Sequence, residues 1–128
     1  TTKRRKLGGL EVREIKFRAW DKEAENMFII FDANKQTEWF LPMWKDRHEV
    51  MQYTGLKDKN GVEIYEGDII INNGSVLSVI YFDEEDVGFK LKNKSMGKMH
   101  PSKDYFQRYV KVIGNIYEHK HLSEVAND

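Results

Sequence analysis

Several groups of side chains in this sequence have types and spacing that could do chemistry. Asp58, Glu66 and Asp68 fall within one short stretch, Met51 to Ile71, and carboxylates gathered in this way bind cations or move protons. Lys90, Lys92 and Lys94 alternate with Phe89, Leu91 and Asn93, so a strand there carries a lysine stripe on one face. Tyr105, Phe106 and Tyr109 follow closely. Lysines beside aromatics on a small barrel hold single-stranded nucleic acid, the charges tracking the backbone and the rings stacking on bases. His119 and His121 stand two apart, the spacing of a chelating pair on an extended strand. Trp39, Phe40, Met43 and Trp44 surround Pro42 and are of the types that anchor protein contacts.

Each group also has a plainer reading. Gly67 sits between Glu66 and Asp68 just before the apolar run Ile69-Ile70-Ile71, where a corner with positive φ is the usual use of glycine. Asp68 then caps that corner through backbone N–H groups. Asp58-Lys59-Asn60-Gly61 invites comparison with a calcium loop. With Gly61 at the sixth position, however, the first and twelfth positions are Leu56 and Gly67, where carboxylates are required. A turn closed by Asp58 and Asn60 accounts for the segment. The two tail histidines have no evident third ligand. The lysine stripe equally describes a solvated strand protecting a sheet edge, and a chain with 21 basic and 21 acidic residues has no net field to draw it onto nucleic acid. The four residues around Pro42 equally cap a core. No nucleophile elbow or phosphate-cradling glycine loop is present. A non-enzymatic protein without cofactor or metal is the expectation.

The elements that position these residues read as short strands with frequent turns. Glu14 to Trp20 alternates polar and apolar residues, and with Met27 to Phe31 it predicts a hairpin. Asp32 to Glu49 lacks clean periodicity and reads as an irregular covering segment. Val50 to Tyr53 is a third strand, and Leu56 to Glu66 is a loop. Asp68 to Asn72 and Ser75 to Phe82 flank Asn73-Gly74, the pair that suits a tight type I′ turn. Gly88 to Lys92 adds a strand, Asn93 to Lys103 reads as mobile, and Tyr105 to Tyr109 as a short strand or one helical turn. Val110 to Tyr117 closes the fold as a strand interrupted by Gly114, and residues 123–128 are expected to fray. Gly55, Asn60, Gly61, Gly67, Asn73, Gly74 and Gly114 are the structural turn positions. The fold class that follows is mainly β, a small barrel or sandwich with additional hairpins, irregular loops and little helix.

A chain of 128 residues supports one core, here over residues 13–122. Residues 1–12, with Gly8-Gly9 and no apolar periodicity, read as a flexible leader. The absence of cysteine removes disulfides and thiolate sites and fits a cytoplasmic location. No apolar run approaches the roughly 18 residues of a spanning helix.

Three blocks of the sequence resemble the YopX-like family of bacteriophage and prophage proteins. They are Arg13 to Asp21, Tyr53 to Gly61 running on to Ile64–Ile70, and Val112 to His119. The resemblance implies a compact β protein with an SH3-like barrel component, acting in the cytoplasm of a bacterial host, and it supplies no catalytic residue. It places Arg18, Trp20, Asp21, Tyr53, Thr54, Asp58, Tyr65, Glu66 and Asp68 in motif positions, where they frame a shared groove or build shared turns. The function expected is a phage accessory protein that binds a protein partner or itself as a homo-oligomer. The alternative is a nucleic-acid-binding barrel using Lys90, Lys92, Lys94, Phe89 and Tyr105.

Overall fold

The computed structural model describes residues 6–11, 14–33, 35, 46–72, 76–93 and 97–127. Trp39, Phe40, Met43, Trp44, Asn73, Gly74 and Lys94 lie outside the described residues. The chain divides into two units, Thr1–Gly55 and Leu56–Asp128.

In the first unit, β1 (Lys6–Leu7) and β2 (Leu10–Glu11) pair across Gly8-Gly9. Both glycines have positive φ, 58° and 84°, as a two-residue turn between strands needs. The segment read as a flexible leader therefore contains a small hairpin. Strands β3 (Lys16–Asp21), β4 (Asn26–Asp32) and β5 (His48–Lys57) follow, with β3 central and antiparallel to both neighbours. Polar–apolar alternation sets the register. Ala19 lies opposite Phe28 on one side and Val50 on the other, while Arg18 lies opposite Ile29 and Met51. A bulge on β4 between the partners of Phe17 and Arg18 takes up Ile30. Ala19 and Ile30 form a buried cluster with Phe17 and Phe31 packed against it. Strand β5 runs on through Gly55, whose φ of 87° lets the extended chain bend at a position the sequence reading placed between elements.

The second unit holds β6 (Glu63–Tyr65), β7 (Asp68–Asn72), β8 (Val76–Asp83), β9 (Gly88–Asn93), β10 (Gly97–Met99), α1 (Lys103–Tyr109), β11 (Val110–Asn115) and α2 (Lys120–Asn127). Five of its strands form an antiparallel sheet in the order β10-β9-β8-β7-β11. One face of that sheet buries Ile64, Ile70, Ile80, Leu91, Phe106 and Val110. The other buries Ile69 and Val79 beneath Ala126 of α2, with Leu77, Ile113, Ile116 and Leu122 around them. Apolar residues on both faces explain the continuous run Ile69-Ile70-Ile71.

Two local readings change. The segment expected to be mobile contains β10, which pairs with β9 from Gly97 opposite Asn93 to Met99 opposite Leu91. The tail expected to fray is helical to Asn127, because Leu122 and Ala126 lie one turn apart and share the sheet-facing side. Tyr105 to Tyr109 resolves as helix. Ser102 caps α1, its Oγ accepting from the Tyr105 N–H at 3.2 Å, and Asp104 and Arg108 pair along its surface at 2.9 Å.

Candidate interaction surface

The acidic residues of the motif serve the turns that carry them. Asp58 is 3% exposed. Its Oδ1 accepts from the N–H groups of Asn60 at 2.8 Å and Val62 at 2.9 Å, and its Oδ2 from Val112 N–H at 2.9 Å. The Gly61 N–H donates to the Asp58 carbonyl at 3.0 Å, with Gly61 at φ 79°. One carboxylate thus closes the Asn60–Gly61 turn and ties it to β11. Asp68 is buried, and its Oδ2 accepts from the Tyr65 N–H at 2.7 Å. Between them Gly67, at φ 81°, donates to the Ile80 carbonyl at 2.8 Å and accepts from the Ile116 N–H at 2.9 Å. Glu66 is half-buried at this corner, and Tyr65 is buried. Asp58 and Asp68 therefore point into different turns. Among the described residues, no three His, Asp or Glu side chains are placed to hold a metal ion.

The end of β11 is organised in the same way. Asn115 Oδ1 accepts from the N–H groups of Tyr117 at 3.0 Å and Glu118 at 2.9 Å, and the Asn115 N–H donates to His119 Nδ1 at 3.2 Å. A Cβ on Gly114 would lie 2.6 Å from that nitrogen. Gly114 is thus glycine because an imidazole occupies the space beside it. His119 has a structural partner, and His121 is exposed on α2.

The lysine stripe is partly committed. Lys90 lies on β9 opposite Tyr81 and makes ion pairs with Asp83, at 2.8 Å, and with Asp86. Hydrogen bonds from Lys90, first of all, hold the Asp83 carboxyl below the usual carboxylate range. The bonds to Asp83 and then Asp86 push the ammonium above its ordinary value. Asp83 and Asp86, at the two ends of the acidic run Asp83-Glu84-Glu85-Asp86, are therefore the counter-charges of Lys90. Lys92 is exposed, with its Nζ 5.2 Å from the centre of the Tyr81 ring, and lies opposite Lys98 of β10. Phe89 faces the other way, ring to edge with Phe82, and Tyr105 lies between Phe106 and Tyr109.

In the first unit, register brings Arg18, Trp20 and Tyr53 to one face of the β4-β3-β5 sheet, where Lys16 Nζ stands 5.5 Å over the Tyr53 ring. Tyr53 and Thr54 are buried, whereas Arg18 and Trp20 are half-buried. Asp21 belongs to the opposite face. Its carboxylate takes both ends of the Arg47 guanidinium at 2.7 Å and the N–H groups of Glu23 and Ala24 at 3.0 Å. The bidentate arginine, then the Ala24 N–H, hold the Asp21 carboxyl far below the ordinary range. His48 Nε2 lies 3.6 Å from its Oδ2, and Phe28 meets the His48 ring edge-on at 5.7 Å.

That second face carries what the sequence reading missed. Phe28, Ala19 and Val50 lie side by side across the three strands. Ala19 is fully buried, yet Phe28 is 39% and Val50 43% exposed. On the facing side of β4, Ile29 is 52% exposed. The apolar row is bordered by the Asp21–Arg47 pair and by Glu23, 3.4 Å from Arg47. An apolar centre with a charged border is the composition of a protein-contact surface.

The YopX protein family model matches residues 16–124. The chain belongs to the YopX family. Among solved structures it is similar to the crystal structure of protein EF1440 from Enterococcus faecalis, at 24% sequence identity and a TM-score of 0.63. The match covers 84% of this chain and 96% of that one. At this identity the likeness concerns the fold. No curated protein matches the chain significantly. The family's motif positions thus fall mainly on turns and sheet interiors; of the apolar row, Ala19 lies in the first motif block, and Phe28 and Val50 lie outside the blocks.

Proposed function

We propose that this YopX-family chain is a phage-encoded accessory protein acting in the bacterial cytoplasm as a non-enzymatic β interaction module. Its binding surface is the row Phe28–Ala19–Val50. The observation that carries the reading is the exposure of two large apolar side chains on one sheet face, on either side of a fully buried alanine. Leaving them in water forgoes roughly 1 kcal/mol or more each, which a partner covering them would recover. The use of Asp58 and Asp68 as backbone acceptors supports the non-enzymatic part of the reading. The return of β11 to β7 through the short helix α1 supports an SH3-like barrel for the second unit.

Affinity capture from induced host cells tests the proposal. The unaltered chain should retain a discrete protein that the double variant Phe28→Ser/Val50→Ser loses, with both chains melting at closely similar temperatures. Equal capture by the two would remove the surface from consideration.

The nucleic-acid reading keeps one support, the juxtaposition of Lys92 and Lys98 beside the Tyr81 ring. Gel-shift titration at two salt concentrations decides it. No shift at low salt, or a shift that Lys92→Glu/Lys98→Glu leaves intact, ends it.

A further inference from the structure

We propose that the tip of the β8–β9 hairpin is a second docking surface, separate from the Phe28–Val50 row, and that it takes a protein segment in which lysine or arginine is interleaved with apolar residues. Val87 stands out at this tip. Its φ is 50°, in the left-handed region, where a β-branched side chain crowds its own backbone. It is also 75% exposed, so burial does not offset that strain. The β3–β4 hairpin shows what such a turn itself requires. Four residues separate the paired ends Asp21 and Asn26 there, as four separate Asp83 and Gly88, and the fourth has positive φ in both. In each the leading aspartate Oδ1 accepts a backbone N–H two positions on, from Glu23 at 3.0 Å and from Glu85 at 3.1 Å. Glu25, at φ 55°, fills the place that Val87 fills in the second hairpin. The turn therefore does not call for a branched apolar residue. A strained side chain kept in water points to a contact outside the fold.

Val87 has apolar company. Phe82 and Phe89, paired across β8 and β9, meet at 5.3 Å with their rings edge to face, and Phe82 is 40% exposed. Charge selects the occupant. Asp83 and Asp86 engage Lys90, which fixes the tip, and Glu84 and Glu85 are exposed in the same turn as Val87. Four carboxylates against that lysine leave the tip acidic, so it attracts a cationic segment and repels nucleic acid or an anionic membrane surface. Apolar and acidic side chains interleave from Phe82 to Val87. A segment that meets both carries apolar and cationic residues at similar spacing, its apolar groups covering Val87 and Phe82 and its cations facing Glu84 and Glu85.

Fluorescence anisotropy of labelled synthetic peptides with the full chain tests the proposal. A peptide of alternating lysine and leucine should bind, with an affinity that falls as salt rises. Peptides with glutamate in place of lysine, or serine in place of leucine, should bind about tenfold more weakly or worse. Val87→Asn installs a residue that tolerates positive φ, so it should hold or raise the melting temperature while weakening the lysine–leucine peptide by about tenfold or more. Glu84→Lys/Glu85→Lys should weaken it at least as much, an independent check on the charge. Phe28→Ser/Val50→Ser should bind it as tightly as the unaltered chain. No binding, equal binding of the lysine–serine peptide, or unchanged affinity in either tip variant would overturn the proposal. Loss of binding in Phe28→Ser/Val50→Ser would overturn it too, by moving the peptide to the other surface.

Discussion

Asp58 shows how one side chain can look like a ligand and act as a brace. Its carboxylate satisfies three backbone N–H groups, two in its own turn and one 54 positions away on β11. Asp58→Ala leaves those donors without their acceptor in a buried setting, and the expected loss is about 3 kcal/mol, read from the urea unfolding midpoint. The local half of this role was legible in Asp-Lys-Asn-Gly, whose turn chemistry is strong. The bond to Val112 was not, because nothing in the sequence pairs residues so far apart. Gly114 makes a complementary case. Placing a methyl group 2.6 Å from His119 Nδ1 forces the ring to move, so Gly114→Ala should destabilise the protein by about 1–2 kcal/mol. The loss should shrink in a His119→Ala background, and a double-mutant cycle showing simple additivity would refute the steric explanation.

At the scale of elements, the hairpins were legible because β3, β4, β7 and β8 alternate or run apolar between clear turns. Strand β10 and helix α2 were not. The first is the tripeptide Gly97-Lys98-Met99, recruited by pairing and by Met99 packing on the core, and the second depends on Leu122 and Ala126 finding a sheet face that local sequence does not display. An Ala126→Asp substitution sets a charge against Ile69 and Val79, and should release α2 at a loss of about 2 kcal/mol or more. Reduced helical circular dichroism with the strand signal retained would show it. The turn between β3 and β4 makes a pH prediction. Folding lowers the Asp21 pKa through Arg47, so this contribution is complete above the ordinary carboxyl value of 3.8 and is lost as pH falls below it. Arg47→Ala should lower stability at neutral pH and make the acid limb shallower between about pH 4 and 2. Identical acid limbs in the two proteins would contradict the assignment. The Asp83–Lys90 pair has two limbs. Its lowered carboxyl contributes fully above about pH 4, and its raised ammonium contributes fully below 10.5 and loses that contribution as pH rises further.

Across the whole molecule, the motif blocks chiefly build turns, while the proposed binding row joins Ala19 of the first block to Phe28 and Val50 outside the blocks. The blocks were readable because turns impose strict residue types: positive φ at Gly55, Gly61 and Gly67, and short acceptors at Asp58, Asp68 and Asn115. The row was hidden because Phe28 and Val50 fit a strand pattern whether they end in a core or in water. Exposure is decided by tertiary structure. The central claim is that the acting surface lies on the β4-β3-β5 face and not at the acidic corner around Gly67. Photo-cross-linking in producing cells measures this most directly, with benzoylphenylalanine placed at Val50 in one chain and at Glu66 in another. The account predicts a discrete protein adduct from position 50 and none from position 66. An adduct from position 66 with none from position 50 would contradict it.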